Sequence, residues 1–142
     1  MPTSPSELPT APLWRRLAAM LYDSLLVLAL LMLAIAVAFL IKGGAIDPHH
    51  PLFRLYLLMV VALFFCGFWV AGGQTLGMRS WRLRVQRRDG RLIGWWQSLG
   101  RFLLAIPSLG LGGIGLWWML VDRDRLALHD RLSRTRVVMI PK

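Results

Sequence analysis

The sequence predicts an all-α membrane protein: two transmembrane helices and a third apolar segment broken by proline and glycine, with short cytoplasmic β segments. Apolar residues make up 56% of the 142 residues, above the roughly 45–50% that is usual in soluble domains. They gather in three runs. Residues 17–41 hold one charged residue, Asp23, and residues 55–71 and 102–121 hold none. Because a bilayer core needs about 20 apolar helical residues, each run is long enough to enter it.

The chain is long enough for one domain and no more. Residues 1–13 are rich in proline, serine and threonine, so we expect a disordered cytoplasmic N-terminus there. Residues 14–142 form a single membrane domain in this prediction. Its elements are helix 1 over 16–41, helix 2 over 53–71, a cytoplasmic loop over 72–96, a broken helix over 97–122 and a cytoplasmic tail over 123–142.

Basic residues set the predicted orientation, because short loops with an excess of Lys and Arg stay in the cytoplasm. The loop over 72–101 carries seven arginines against one aspartate, whereas the loop over 42–54 carries Lys42 and Arg54 against Asp47. This difference places the N-terminus and the arginine-rich loop in the cytoplasm and the other loop outside. We therefore expect a multi-pass protein.

The third apolar segment allows two arrangements. Pro107 breaks an α-helix, and four glycines between residues 110 and 115 weaken the helix that follows. The segment either returns as a re-entrant hairpin of residues 97–107 and 113–122, or it crosses the membrane as a kinked span.

Two short β segments favour the hairpin. Residues 81–87 alternate between apolar and polar side chains, and residues 135–140 are rich in β-branched residues, so both patterns predict strands. Two short strands are marginal alone but can stabilise each other by pairing. Pairing requires both strands on one side of the membrane, which a returning segment provides.

One carboxylate, Asp23, lies inside the first apolar run and is the main candidate for a functional residue. Arg16 is seven residues earlier, so on a helix both side chains point the same way, about 10.5 Å apart along the axis. An Asp costs about 2.5–3.5 kcal/mol at the membrane centre, and less near an end, so Asp23 should face the bundle and have a partner. We predict that this partner is Arg101, with Gln97 and Ser98 as secondary donors.

Three interpretations of this charged cluster remain open. Either the ion pair fixes how helix 1 packs on the third segment, or Asp23 binds or relays a cation or a proton, or the charges recognise a lipid headgroup or a partner. The sequence offers no catalytic arrangement, no cofactor motif and no metal site. His49 and His50 lack further ligands, and GGQTLGM over 72–78 lacks the Gly-Lys-Ser/Thr ending of a phosphate loop.

Five arginines of the cytoplasmic loop lie among apolar residues. Basic residues near aromatic ones occur in nucleic-acid-binding proteins, but the bilayer is adjacent here. Anionic lipid is the simpler partner, at about 1 kcal/mol per basic residue, and we expect no nucleic acid. The arginines expected at lipid headgroups are Arg79, Arg82, Arg84, Arg87 and Arg88.

Four stretches, in their order and spacing, resemble the RDD family of small integral membrane proteins. They are RLAAMLYD over 16–23, GGQTLGMRSWRLRVQRRDG over 72–90, SLGRFLL over 98–104 and RLALHDRLSRT over 125–135. By this resemblance Arg16 and Asp23 are the first two signature residues, and Asp130 is the third. We expect Asp130 and the adjacent His129 to order the segment before the last strand, through local hydrogen bonds or a pair with a nearby arginine.

The sequence departs from the family pattern at two places. Met78 precedes Arg79 where the family has Lys or Arg, and SRT replaces AGT at residues 133–135. The family has no settled role, although ion or proton exchange is suggested for some members.

From the residues and the resemblance together, we expect a non-enzymatic scaffold, assembly or partner-binding unit of the bacterial inner membrane. It would be a homo-oligomer or bind another membrane protein. One alternative is a subunit of a cation or proton transporter with Asp23 as the ion site. Another is a protein that binds anionic lipid headgroups.

Overall fold

The computed structural model describes residue 4 and residues 7–111, 113–123 and 126–141. Within these residues the fold is mostly helical, as predicted, and two strands form a small sheet. In chain order the elements are α1 (Leu13–Lys42), α2 (Pro51–Gly72), α3 (Leu76–Ser80), β1 (Leu83–Arg87), α4 (Trp95–Gly110), α5 (Ile114–Val121), α6 (Leu128–Leu132) and β2 (Thr135–Met139).

Helices α1 and α2 are long and apolar enough to cross a membrane. At 1.5 Å per residue, their 30 and 22 residues give about 45 and 33 Å, against a bilayer core of about 30 Å. Only 6% of the most apolar window of α1, and 17% of that of α2, is buried in the fold. A core helix of a soluble protein would bury these side chains, so lipid is the environment that suits both helices.

The end of α2 is a tight turn into the segment that follows. Gly73 has a φ of 71°, a conformation that favours glycine. Its carbonyl oxygen accepts a hydrogen bond from the backbone N–H of Val85 at 2.6 Å. A Cβ on Gly73 would lie 3.1 Å from side-chain atoms of Arg84 and Leu92. The turn therefore holds β1 directly against the end of α2.

Strands β1 and β2 pair antiparallel, with Leu83 opposite Met139 and Arg87 opposite Thr135. The pairing that the sequence predicted is therefore present. Because β1 precedes α4 and β2 follows α6, the chain from α4 through α6 leaves the sheet and comes back to it.

Residues 9–11 of the N-terminal segment, which the sequence predicted to be disordered, lie against β2. The carbonyl oxygen of Pro9 accepts from the N–H of Met139, and the N–H of Ala11 donates to the oxygen of Val137, both at 2.9 Å. This segment uses backbone groups on the free edge of β2 that would otherwise have no partner in the sheet. Part of the predicted disordered segment lies outside the described residues, at 1–3, 5 and 6.

The broken apolar segment does not break at Pro107. Helix α4 continues through Pro107 to Gly110, because proline removes one N–H donor but its carbonyl still accepts from Leu111 at 3.1 Å. The break comes at Gly113, whose φ of 78° suits glycine.

Helix α5 folds back towards the start of α4. Ser108 of α4 and Gly115 of α5 lie so close that a Cβ on Gly115 would overlap the Ser108 side chain. Further along, Arg101 of α4 and Met119 of α5 both reach the region around Arg16. With 16 and 8 residues, α4 and α5 are about 24 and 12 Å long, so neither helix alone crosses a bilayer core of about 30 Å.

Candidate functional site

Three charged side chains from distant parts of the chain meet in one buried cluster. The carboxylate of Asp130 accepts a hydrogen bond from the guanidinium of Arg16 on one oxygen and from that of Arg101 on the other. The three side chains are between 0 and 5% exposed. The cluster therefore joins α1, α4 and α6 through a single carboxylate.

Other groups hold the two guanidinium groups in place. Arg101 Nη1 also donates to Thr135 Oγ1 at 2.8 Å, and its guanidinium carbon lies 5.1 Å from the centre of the Trp69 ring, within cation–π range. Arg16 Nη1 lies 2.8 Å from the Met119 sulfur, which is a weak acceptor. The Nε of Arg101 has no hydrogen-bond partner among the described residues. The guanidinium groups thus have more donor capacity than these contacts use.

The carboxylate of Asp130 stays ionised although it is fully buried. Burial by itself raises the pKa of Asp130, but the positive charges of Arg101 and Arg16 outweigh it and hold that pKa well below its usual range. The backbone N–H of Ala127 also approaches the carboxylate, at 3.3 Å. The negative charge of Asp130 is compensated by its two guanidinium partners, and without Asp130 both arginines would be uncompensated buried charges.

The neighbouring His129 is neutral. Its Nδ1 lies 3.2 Å from Ser108 Oγ, and its Nε2 lies 3.6 Å from Asp130 Oδ1. Burial and the positive charge of Arg101 lower the pKa of His129 to about 3. The arginine pair that we considered for Asp130 is present, and His129 connects α4 to α6 beside it.

Asp23 is buried, as predicted, but its partner is not Arg101. Its carboxylate accepts hydrogen bonds from the Thr75 hydroxyl and from the backbone N–H of Gly77, the latter at 2.9 Å. Thr75 is the N-cap of α3, and its oxygen also accepts from the Met78 N–H at 3.2 Å. The first N–H groups of a helix have no partner within it, so a neighbouring carboxylate can satisfy one. Two neutral donors therefore replace the predicted ion pair.

Helix α3 packs on α1 with almost no space between the backbones. A Cβ on Gly77 would lie 2.9 Å from the carboxyl carbon of Asp23 and would overlap the carbonyl oxygen of Ala19. Ala19 and Asp23 are one turn apart and lie on the same face of α1. The glycine-rich stretch over 72–78 is thus a turn and a short helix that enclose Asp23.

A cavity of about 320 Å³ lies between α1, α2 and α4 and reaches both charged groups. Its volume is at the low end of the roughly 300–1,000 Å³ typical of small-ligand sites. Most of its wall is apolar. The polar side chains that line it are Arg16, Asp23, Ser24, Thr75, Arg101 and His129.

The two predicted secondary donors lie nearby but bind other groups. Gln97 Nε2 donates to the carbonyl oxygen of Ser133 at 3.0 Å, and its Oε1 accepts from Arg87 Nε at 2.8 Å. Ser98 Oγ lies 3.5 Å from the carbonyl oxygen of Cys66. These residues connect α4 to neighbouring segments and do not donate hydrogen bonds to Asp23.

The five arginines that we expect at lipid headgroups lie on and around β1. Four of them are exposed, and Arg84 is half-buried. Their side chains form a basic surface at the sheet end of the fold. The exposed members are Arg79, Arg82, Arg87 and Arg88.

Several residues of the site had no part in the sequence prediction. Thr75 had a readable signal, because a threonine before a short helical stretch is a typical N-cap. Thr135, Ser108, Trp69 and Met119 carried none, because they reach the cluster only through folding. Within the described part of the chain, no three His, Cys, Asp or Glu side chains are placed to hold a metal ion.

Comparison with known proteins agrees with the resemblance seen in the sequence. The model of the RDD family matches residues 10–134. This range includes helices α1 to α6 and the three positions that the resemblance assigns to the family signature, Arg16, Asp23 and Asp130. No curated protein and no solved structure matches the chain.

Proposed function

The chain belongs to the RDD family and is a membrane-associated protein, and we propose that it is a non-enzymatic scaffold or partner-binding unit of the bacterial inner membrane. The observation that carries this proposal is the Asp130 cluster. One carboxylate holds Arg16 of α1 and Arg101 of α4, so its charges are used in joining parts of the fold. Such a cluster sets how the membrane helices and the sheet are presented to another protein.

In this proposal α1 and α2 cross the membrane, α4 and α5 form a re-entrant hairpin, and the sheet and both termini are cytoplasmic. The pairing of β1 with β2 supports it, since the hairpin begins and ends beside one sheet. The short lengths of α4 and α5 support it too. Four tryptophans of these helices are exposed, as expected for residues at a membrane interface: Trp95, Trp96, Trp117 and Trp118.

Thiol labelling of intact cells tests this topology. Single cysteines replace Pro141 or His49 in a Cys66→Ala background, and a membrane-impermeant thiol reagent is added. We expect the His49→Cys protein to be labelled directly and the Pro141→Cys protein only after the membrane is permeabilised. Labelling of Pro141→Cys from outside would overturn the hairpin.

The scaffold role predicts a stable assembly. The full chain is extracted from its membrane in lipid nanodiscs, and the mass of the particle is measured. We expect two or more copies, or one membrane-protein partner in fixed stoichiometry. Single copies without a partner, in nanodiscs that are large enough to hold more, would contradict the scaffold.

A second candidate function is a subunit of a cation or proton transporter. The observation that favours it is that Asp23 lines the cavity, because a buried carboxylate within a membrane segment is a common ion or proton site. Sodium- and proton-driven flux into vesicles separates the two candidates. Flux with wild-type protein that Asp23→Asn abolishes, while the protein level is kept, favours transport. No flux with wild-type protein favours the scaffold.

A third candidate, binding of anionic lipid, is favoured by the exposed arginines around β1. Electrostatic contacts of exposed side chains weaken as salt screens them. Retention of anionic lipid that falls with ionic strength, and that falls further in Arg87→Gln and Arg88→Gln variants, would favour this candidate.

A further inference from the structure

We propose that the cavity between α1, α2 and α4 binds the headgroup of an aminophospholipid. The phosphate would lie at Arg16 and Arg101, and the ammonium group would lie at Asp23. This inference goes beyond the scaffold role and does not depend on it.

The charges around the cavity favour a zwitterionic ligand. Arg16, Arg101 and Asp23 line it, and Asp130 lies behind the two guanidinium groups, so the four formal charges sum to zero. A ligand with a net charge would leave that charge uncompensated in a largely apolar space, at a high cost in free energy. A headgroup with one phosphate and one ammonium keeps the sum at zero. The two guanidinium groups would also repel a bare metal cation.

Hydrogen-bond donors without a strong acceptor lie on and beside the two arginines, where the phosphate would bind. Arg101 Nε and Trp69 Nε1 are buried and have no partner among the described residues, and both residues line the cavity. Arg16 Nη1 has the Met119 sulfur as its acceptor. Phosphate oxygens are strong acceptors that suit guanidinium donors.

Asp23 lies about two helical turns along α1 from Arg16 and has acceptor capacity left over. Its carboxylate takes one hydrogen bond from Thr75 and one from Gly77. A carboxylate has about four lone-pair sites, and an ammonium group has donors for the remainder. A primary ammonium therefore fits better than a quaternary one, which has no N–H group to donate.

The wall of the cavity suits the start of an acyl chain. Phe65, Phe102 and Ala105 line it, and so do Ser24 and Ile106, which are themselves exposed. Because Ser24 and Ile106 are both exposed and line the cavity, the acyl chains of a bound lipid would leave beside them towards the bilayer. At about 320 Å³, the cavity holds a headgroup and not a whole phospholipid.

Native mass spectrometry of the purified full chain tests the proposal. The protein is incubated with equal amounts of phosphatidylethanolamine, phosphatidylcholine and phosphatidylglycerol, and the bound lipid is counted. We expect wild-type protein to retain phosphatidylethanolamine over phosphatidylcholine by about tenfold, the value of one charge-assisted hydrogen-bonded contact. Asp23→Asn should bring that ratio close to one.

A variant that fills the cavity, compared with the same substitution outside it, tests whether the lipid binds there. Ala105→Trp places a large ring in the cavity without changing a charge, and we expect it to abolish lipid retention. Ala36→Trp makes the same change at an exposed position of α1 outside the cavity and should retain lipid as the wild type does. If Asp23→Asn does not fold, the ratio for wild-type protein and this pair of variants decide the question.

Soluble competitors separate a lipid site from a phosphate site. Phosphoethanolamine should displace the lipid at lower concentration than inorganic phosphate does. Equal displacement by the two would assign the cavity to free phosphate and overturn the proposal. Equal retention of the ethanolamine and choline lipids by wild-type protein, a preference for phosphatidylglycerol, or full retention by Ala105→Trp would overturn it as well.

Discussion

The carboxylate of Asp130 pairs with the guanidinium of Arg16, which lies 114 residues earlier in the chain. The contact brings the start of α1 to α6, the short helix before the last strand. Arg101 of α4 binds the other oxygen of the same carboxylate. Because one carboxylate binds both arginines, the three elements meet at a single buried ionic cluster.

Asp130→Asn should destabilise the protein strongly. The amide cannot neutralise two buried guanidinium groups, and breaking a buried ion pair by removing one partner costs about 3–5 kcal/mol. Thermal unfolding in detergent measures the loss. Asp89→Asn is the control, because the Asp89 side chain is 56% exposed and exposed pairs contribute about 0–1 kcal/mol. Equal melting temperatures for the two variants would contradict the role of the cluster.

Gly77→Ala should separate α3 from α1. The added Cβ would meet the Ala19 carbonyl and the Asp23 carboxyl, and both are held by the helix backbone or by hydrogen bonds. Gly100→Ala is the matched control, because a Cβ on Gly100 would have no atom within 4 Å apart from its chain neighbours and the backbone of its own helix. Replacing a mid-helix glycine there should stabilise α4 by roughly 0.5–1 kcal/mol. Melting temperatures that fall for the first variant and rise for the second are the expected result.

The stability of the protein should fall as the pH drops from about 6.5 to about 3. The pKa of His129 is 6.5 in the unfolded chain and about 3 in the folded one. Between these values the unfolded state binds more protons, so stability rises with pH by up to about 1.4 kcal/mol per unit. Asp130 has the same sign at lower pH: its depressed pKa stabilises the fold above pH 3.8, and this is lost as the pH falls further.

His129→Gln should flatten the dependence of the melting temperature on pH between about 4 and 6. His49→Gln, in the exposed loop before α2, should keep the wild-type dependence. If the melting temperature of His129→Gln depends on pH as strongly as that of the wild type, the buried imidazole is not the source of the dependence.

The register of the sheet predicts which engineered cysteines can be linked. Arg84 is opposite Val138, and directly opposed residues have Cα atoms about 4.5–5.5 Å apart, within disulfide range. In a Cys66→Ala background, Arg84→Cys with Val138→Cys should form a disulfide on mild oxidation. Arg84→Cys with Arg136→Cys is offset by two residues, about 7–8 Å, and should not. Non-reducing electrophoresis after proteolysis between the strands distinguishes them, and the opposite pattern would refute the register.

Local sequence patterns were enough to predict several elements. The apolar runs predicted α1 and α2, and the alternation over 81–87 predicted β1. Helical spacing placed Arg16 and Asp23 on one face, and both are buried on α1 together with Ala19. Each of these predictions uses the period of a helix or a strand, and that period is visible in residues that are close together in the chain.

The partners of these residues depended on the tertiary structure. Asp23 binds Thr75 and Gly77, because the turn after α2 folds α3 onto α1, and Arg101 is left to bind Asp130. A search for opposite charges finds ion pairs, but it does not find a hydroxyl and a backbone N–H as partners of a carboxylate. In the same way, the broken segment continues through Pro107 because packing of α4 on α2 and α6 outweighs the local effect of one proline.

The sequence by itself determined that this chain has two lipid-compatible helices, two short strands and charged residues that resemble the signature of its family. Only the tertiary structure decided which charges meet, where α4 ends, and that a cavity lies between the two charged groups. The physical reason is distance along the chain: helices and strands follow from neighbouring residues, whereas contacts such as Arg16 with Asp130 form only when remote segments are brought together.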